Sequence, residues 1–181
     1  MQIWNPTVRF TIRNSRPADF ATLWRIDQAC FPPGISYTRF ELKTYMSRAG
    51  AFTLVAEADE RFDEQANTSE NPPREGEQPS IMGFLVGEYS RRGHGHIITI
   101  DVRAAARRQR VGSLLLDSAE ERLGLAACKS IALETAVDNL AALSFYKRHG
   151  YSVVKTIPRY YANGVDALLL EKKLLLDVSS R

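Results

Sequence analysis

The sequence has only two cysteines, Cys30 and Cys128, both inside helix-like patterns, which excludes a disulfide framework and leaves them as small core residues. No apolar run approaches the roughly 20 residues that a membrane-spanning helix needs. Met1 to Pro6 lacks the charged and apolar zones of a signal peptide, so the expected location is cytoplasmic. Histidine is scarce as well. His94 and His96 stand two apart, with no cysteines or carboxylates at the spacing of a structural metal centre, and no metal is expected. His149 falls in the last turn of a helical pattern, where the helix dipole favours a cation. Aromatic residues do not interleave with the arginines as base stacking requires, which speaks against nucleic acid, and no internal repeat is visible.

What is present is ordinary for a globular protein: 44% apolar and 25% charged residues, in a length that suits one well-buried domain. The charge is uneven. Asp59 to Ser80 holds seven acids against Arg61 and Arg74, so the net +3 of the chain hides −5 in this stretch and +8 elsewhere. Its only apolar side chains are Phe62 and Ala66, too few to offset the entropy of ordering it. It reads as a long, mobile hairpin connection inserted into a single domain spanning residues 1–181. The basic remainder suits an anionic ligand or partner.

Alternation predicts a strand over Val8–Arg13. Pro17 opens a helix with Phe20, Leu23, Trp24, Ile26 and Cys30 at its apolar positions, stopped by Phe31-Pro32-Pro33-Gly34, and a second helix runs from about Thr38 to Ser47. Strands follow at Ala51–Glu57, Ile81–Ser90 and His94–Val102, then a helix from Val111 with apolar residues at 111, 114, 115, 119 and 123. Ile131–Val137 is a fifth strand, Asn139 caps a short helix that Gly150 ends, and Tyr151–Ile157 with Val165–Lys173 form a closing pair. The fold class is mixed α/β, a central twisted sheet of about seven strands flanked by about four helices.

Between the fourth strand and the helix from Val111 lies Arg107-Arg108-Gln109-Arg110-Val111-Gly112-Ser113. Taken alone, an arginine-rich loop reads as a solvated surface. At a helix start it is also an anion site, because the first helical N–H groups have no partner and the dipole is positive there. Gly112 lets a ligand approach the backbone, and the arginines add charge and forked donors, which points to a pyrophosphate.

These residues resemble the GNAT superfamily of acetyl-coenzyme A-dependent N-acetyltransferases, whose phosphate loop has the pattern Q/R-x-x-G-x-G/A. Arg107 to Gly112 aligns with it, with Arg110 in place of the first glycine. The second half is similar to the ribosomal-protein alanine N-acetyltransferases and related protein N-terminal acetyltransferases. The matching residues are Leu133-Glu134-Thr135, Asp138 to Ala142, Phe145 to Tyr151 and the segment Arg159-Tyr160-Tyr161-Ala162-Asn163-Gly164-Val165-Asp166-Ala167. Cys30-Phe31-Pro32 and Tyr37 resemble the same branch's substrate loop.

The resemblance implies acetyl-coenzyme A as cosubstrate, held by Arg107, Arg108, Gln109, Arg110, Val111, Gly112 and Ser113, with Asn139 touching the coenzyme arm as well as capping its helix. It also implies a bulge in the fourth strand, where the backbone of Val102 polarises the acetyl carbonyl. Glu134 is then the base, acting through a water, and Tyr146 the acid that protonates the departing sulfur. Read without the resemblance, Glu134 is a solvated strand glutamate and Tyr146 an amphipathic core tyrosine beside Leu143. By the same resemblance Phe31, Tyr37, Tyr160 and Tyr161 line the acceptor groove, although a tyrosine pair beside a strand reads equally as packing. An α-amine has a pKa of about 7.7–8.0 against about 10.4 for lysine, so a modest base favours a protein or peptide N-terminus as acceptor. The alternatives are a lysine, a polyamine or an aminoglycoside, or a non-catalytic module that binds acetyl-coenzyme A.

Overall fold

The computed structural model describes residues 10–58 and 80–174. Val8 and Arg9 of the expected first strand, and residues 59–79 of the acidic connection, lie outside the described residues. The strands are β1 (Phe10–Asn14), β2 (Ala51–Ala58), β3 (Ile81–Tyr89), β4 (His94–Val102), β5 (Ser130–Ala136), β6 (Ser152–Ile157) and β7 (Ala167–Lys173). The helices are α1 (Phe20–Cys30), α2 (Arg39–Met46), α3 (Val111–Leu125) and α4 (Leu140–Arg148). All seven strands form one mixed sheet in the order β1-β2-β3-β4-β5-β7-β6.

Two layers of helix cover the sheet. Leu23 and Ile26 of α1 and Leu42 of α2 pack with Val55, Ile81, Phe84 and Val86 on one face. On the other, Val111, Leu115, Leu116, Ala119 and Leu123 of α3 meet Leu54, Ala56, Leu85, Ile97, Ile131 and Leu133, with Tyr146 of α4 beside them. Because both faces are covered, β2 and β3 are buried almost throughout and read as continuous apolar runs. Among the described residues no helix is long and apolar enough to cross a membrane.

Local signals place the element ends well. Thr38 and Glu41 form a reciprocal capping box on α2, and Asn139 Oδ1 accepts the Ala142 N–H at 3.1 Å. Past α4, Gly150 takes φ +86°, while the Tyr151 N–H reaches the Tyr146 carbonyl and the Gly150 N–H that of Lys147, a Schellman ending. Four details differ from expectation. Pro17 opens a 3-10 turn, Pro17–Asp19, and α1 proper begins at Phe20. Leu116, not Leu114, completes the buried stripe of α3, since it stands one turn before Ala119 and two before Leu123 on the sheet side. Cys128 lies in the loop after α3, though still in the core. Val137 falls beyond β5 and is exposed.

One feature of the sheet opens it. β4 and β5 are parallel neighbours joined across α3, but they pair only from His94–Ile97 to Ser130–Leu133. Both strands continue, β4 to Val102 and β5 to Ala136, without pairing each other. The sheet therefore splits into a cleft whose walls carry unpaired backbone from β4.

Candidate active site

After β4 the chain makes a 3-10 turn, Ala104–Ala106, and enters α3 through Arg107–Arg110. Arg108 and Arg110 both adopt left-handed backbone, φ 61° and 66°. Arg110, where the loop pattern has glycine, takes the conformation glycine tolerates most easily, at about 1–2 kcal/mol for a residue with a Cβ. The backbone path survives the substitution. Left-handed residues in such a turn aim successive N–H groups to one side, the geometry of an anion cradle. Leu114 is the first to bond back into the helix, to the Arg110 carbonyl at 2.9 Å, so the N–H groups of Val111, Gly112 and Ser113 have no intrahelical acceptor.

Side chains brace this turn. Arg107 Nε donates to the Val102 carbonyl at 3.2 Å, and Gln109 Nε2 to that of Ala105 at 2.8 Å, while Arg108 and Arg110 stand exposed. A Cβ on Gly112 would meet the Phe145 ring at 3.5 Å and Val102 Cγ2 at 3.8 Å, ordinary contact distances. Packing alone does not demand glycine there, as expected if a ligand does. Donors, charge and open backbone together fit a diphosphate.

The fourth strand carries its irregularity at Ile98 and not at Val102. The β3–β4 register slips between Val86 and Gly87, which leaves Ile98 without a partner. Val102 pairs with Gly83 in regular register. Since the Arg103 N–H bonds to Met82, the Val102 peptide edge turns away from β3, toward the cleft. Its carbonyl accepts from the Cys30 thiol at 3.4 Å as well as from Arg107.

Glu134 stands on β5 at the cleft, on the α1/α2 side of the sheet. Its Oε2 lies 2.7 Å from Nε2 of His96 on β4. The other ring nitrogen is 3.6 Å from Glu88 Oε1, which Arg48 approaches to 3.7 Å. Burial opposes a charge on His96, but the Glu134 hydrogen bond and the charges of Glu134 and Glu88 outweigh it and raise the imidazole pKa above its ordinary value. His94, two residues earlier on the same face of β4, bonds Ser130 Oγ at 3.1 Å instead. Tyr146 approaches from the opposite face. It is 8% exposed, and burial, with the charge of Asp101 and the nearby Tyr161 adding, raises its pKa and keeps the phenol protonated. Asp101 itself is pushed well above the usual carboxylate range by burial, with Asp27 adding.

The four expected groove residues fall on two loops that touch. Ala162 donates to the Gly34 carbonyl at 3.1 Å, and a Cβ on Gly34 would lie 2.9 Å from Asn163. Tyr37 is gripped by α1: its N–H donates to Asp27 Oδ2 at 2.8 Å, and its carbonyl accepts from Trp24 Nε1 and Gln28 Nε2. Its hydroxyl reaches the carbonyl of the bulged Ile98 at 3.4 Å. Tyr160 and Tyr161 meet edge to face at 5.0 Å. Burial, aided by the Glu134 charge, pushes Tyr160 up to about 12 and raises Tyr161 as well. Phe31 ends α1, half-buried at the start of the same loop as Tyr37.

Sequence reasoning missed His96, Glu88, Asp27 and Asp101. Alternation along β4 puts His96 on one face of that strand, but no local signal ties that face to Glu134, since the link is the β4–β5 register.

The Acetyltransferase (GNAT) family profile matches residues 20–151. Over 94 residues the chain is 38% identical to an uncharacterized N-acetyltransferase of Methanocaldococcus jannaschii, a match covering 51% of this chain and 60% of that one. Over 76 residues it is 37% identical to N-alpha-acetyltransferase 30 of Dictyostelium discoideum, covering 42% of this chain and 41% of that protein. The matched stretches span less than two thirds of either relative. The fold is shared with the ribosomal-protein-S18-alanine N-acetyltransferase of Escherichia coli, at a TM-score of 0.72 and 15% identity over 96% of this chain and 99% of that one. A profile that runs from α1 through the arginine turn and both faces of the cleft settles the lineage: the chain belongs to the acetyltransferase (GNAT) family.

Proposed function

We propose that this chain transfers an acetyl group from acetyl-coenzyme A to the α-amine of a protein or peptide. The observation that carries the reading is the His96–Glu134 contact of 2.7 Å at the base of the β4–β5 cleft, beside two touching aromatic loops. The coenzyme would lie with its diphosphate on Arg107–Ser113 and Asn139 near its arm, and would supply the activated thioester. The peptide edge of Val102 turns into the cleft, where an N–H can polarise a carbonyl.

Attack needs a neutral amine. His96, held by Glu134 at 2.7 Å, is placed to take the amine proton. The imidazole pKa, raised above its ordinary value, moves toward that of an α-amine, whereas a lysine at about 10.4 would need a stronger base. Tyr146, kept protonated by burial, donates to the leaving sulfur from the other wall. Phe31, Tyr37, Tyr160 and Tyr161 give an extended peptide apolar contact on both sides.

A polyamine acceptor is the second reading, favoured by Glu88 as an added carboxylate. Arg48 stands 3.7 Å from that carboxylate and offsets its charge, which weighs toward the peptide. Mass spectrometry after incubation with acetyl-coenzyme A decides between them. A peptide with a free N-terminal alanine or serine is expected to gain one acetyl group on its α-nitrogen, and the same peptide with a blocked N-terminus none, even with an internal lysine. Acetyl on the lysine, or faster turnover of spermidine, would overturn the acceptor assignment.

A further inference from the structure

Ser113, in the first turn of α3, is the start of a chain of polar contacts that leads away from the coenzyme turn. Its Oγ lies 3.1 Å from Nε2 of His149, and Nδ1 of the same ring is 3.6 Å from Oδ1 of Asp117, one turn further along α3. The Phe145 ring lies against the imidazole, centroids 4.6 Å apart, and fixes its plane. His149 is the last residue of the α4 turn, where the helix dipole favours a cation.

A hydroxyl carries one proton and can spend it in one direction. While Nε2 is bare, the Ser113 proton is drawn to it and only oxygen lone pairs face the anion cradle. Once the imidazole holds protons on both nitrogens, Nε2–H donates to Oγ, Nδ1–H faces Asp117, and the hydroxyl proton is released toward the cradle. Anion binding and proton binding at the two ends of the chain therefore favour each other, and each must strengthen the other by the same factor.

We propose that Ser113, His149 and Asp117 form a proton-linked clasp for the coenzyme diphosphate, in which binding draws a proton from solvent onto His149 and turns the Ser113 hydroxyl to a phosphate oxygen. His149 is a positioning residue, acting through Ser113. The other charged groups around it are already engaged or point outward. From β7, Lys172 passes over Gly150 and is bound to Glu120 of α3 at 2.5 Å, and Lys147 and Arg148 on its own helix are exposed. Asp117 is the one carboxylate in contact with the ring among the described residues. The clasp rests on coenzyme binding at α3 and is independent of which amine is acetylated.

Calorimetric titration with dephospho-coenzyme A tests it. That probe keeps the diphosphate but lacks the 3′-phosphate, whose own ionisation would obscure the result. In two buffers of different ionisation heat, at about pH 7.5, the wild-type protein is expected to take up protons on binding. His149→Gln and Ser113→Ala are expected to lose that uptake and to bind about tenfold more weakly, the loss of one charge-assisted hydrogen bond. His149→Gln is expected to keep wild-type KM for acetyl-pantetheine, which has no diphosphate. Binding without proton uptake in the wild type, or the same uptake in His149→Gln, overturns the clasp, as does an equal loss with acetyl-pantetheine. Absence of binding by the wild type would overturn the coenzyme site itself, a distinct result.

Discussion

Seven consecutive residues, Arg107 to Ser113, make the proposed coenzyme turn, whereas the proposed acceptor side is gathered from the 31–37 loop, β4, β5 and the 160–165 loop. The first is held by contacts between near neighbours, such as Arg107 to Val102 and Gln109 to Ala105. The second depends on contacts across long stretches of chain: His96 with Glu134, Gly34 with Ala162, Tyr37 with Ile98. A local site tolerates a departure from its pattern when the backbone path is kept, as Arg110 shows. A gathered site fails if any contributing element shifts, because no partner can be replaced from within its own segment.

The sharpest way to separate the two sides is Glu134→Gln. Turnover at neutral pH is expected to fall about a hundredfold, while the rise in melting temperature caused by acetyl-coenzyme A stays as in the wild type. The rate profile should move as well. Glu134 raises the His96 pKa, so its neutral replacement is expected to lower the pH at which the imidazole loses its proton. Loss of the coenzyme response along with turnover would show that the two sides are one unit.

Asp27 examines the foundation of the acceptor side. Burial raises its pKa from 3.8 to about 6, against the pull of the Tyr37 and Gln28 hydrogen bonds. A carboxyl whose folded pKa is raised holds its proton longer in the folded state, so its contribution is greatest below the unfolded value and is lost as pH rises through about 6. Asp27→Asn, which keeps an oxygen for the Tyr37 N–H, is expected to flatten that decline and add about 2 kcal/mol at pH 7. Denaturant melts at a series of pH values measure it, and an unchanged decline would mean that another group carries it.

A smaller effect is expected from Tyr161→Ala: peptide KM rises about tenfold, with little change for acetyl-coenzyme A, as measured by steady-state kinetics in each substrate. Equal changes in both would erase the division between the two sides. The mildest is Arg110→Gly. Relief of the left-handed backbone is expected to stabilise the fold by about 1 kcal/mol, with only a few-fold loss of coenzyme affinity, as read by thermal melts with and without ligand. A large loss of affinity would make the Arg110 guanidinium, and not the backbone, the main phosphate contact.

By itself the sequence determined seven strands and four helices in order, the caps at Asn139 and Gly150, and the turn at Arg107–Ser113. Each rests on periodicity or on hydrogen bonds within about one turn of chain, which neighbouring residues decide among themselves. It also identified Glu134, Tyr146 and the tyrosine pair as candidates, through family resemblance more than through their own spacing. Only the tertiary structure decided that β4 and β5 part after Ile97 and Leu133, that the bulge sits at Ile98, and that His96 meets Glu134. It alone brought His149 to Ser113, which sit on helices separated by a whole strand. Strand register and helix docking are settled by burying both faces of the sheet at once, a condition on the whole chain that no single segment encodes.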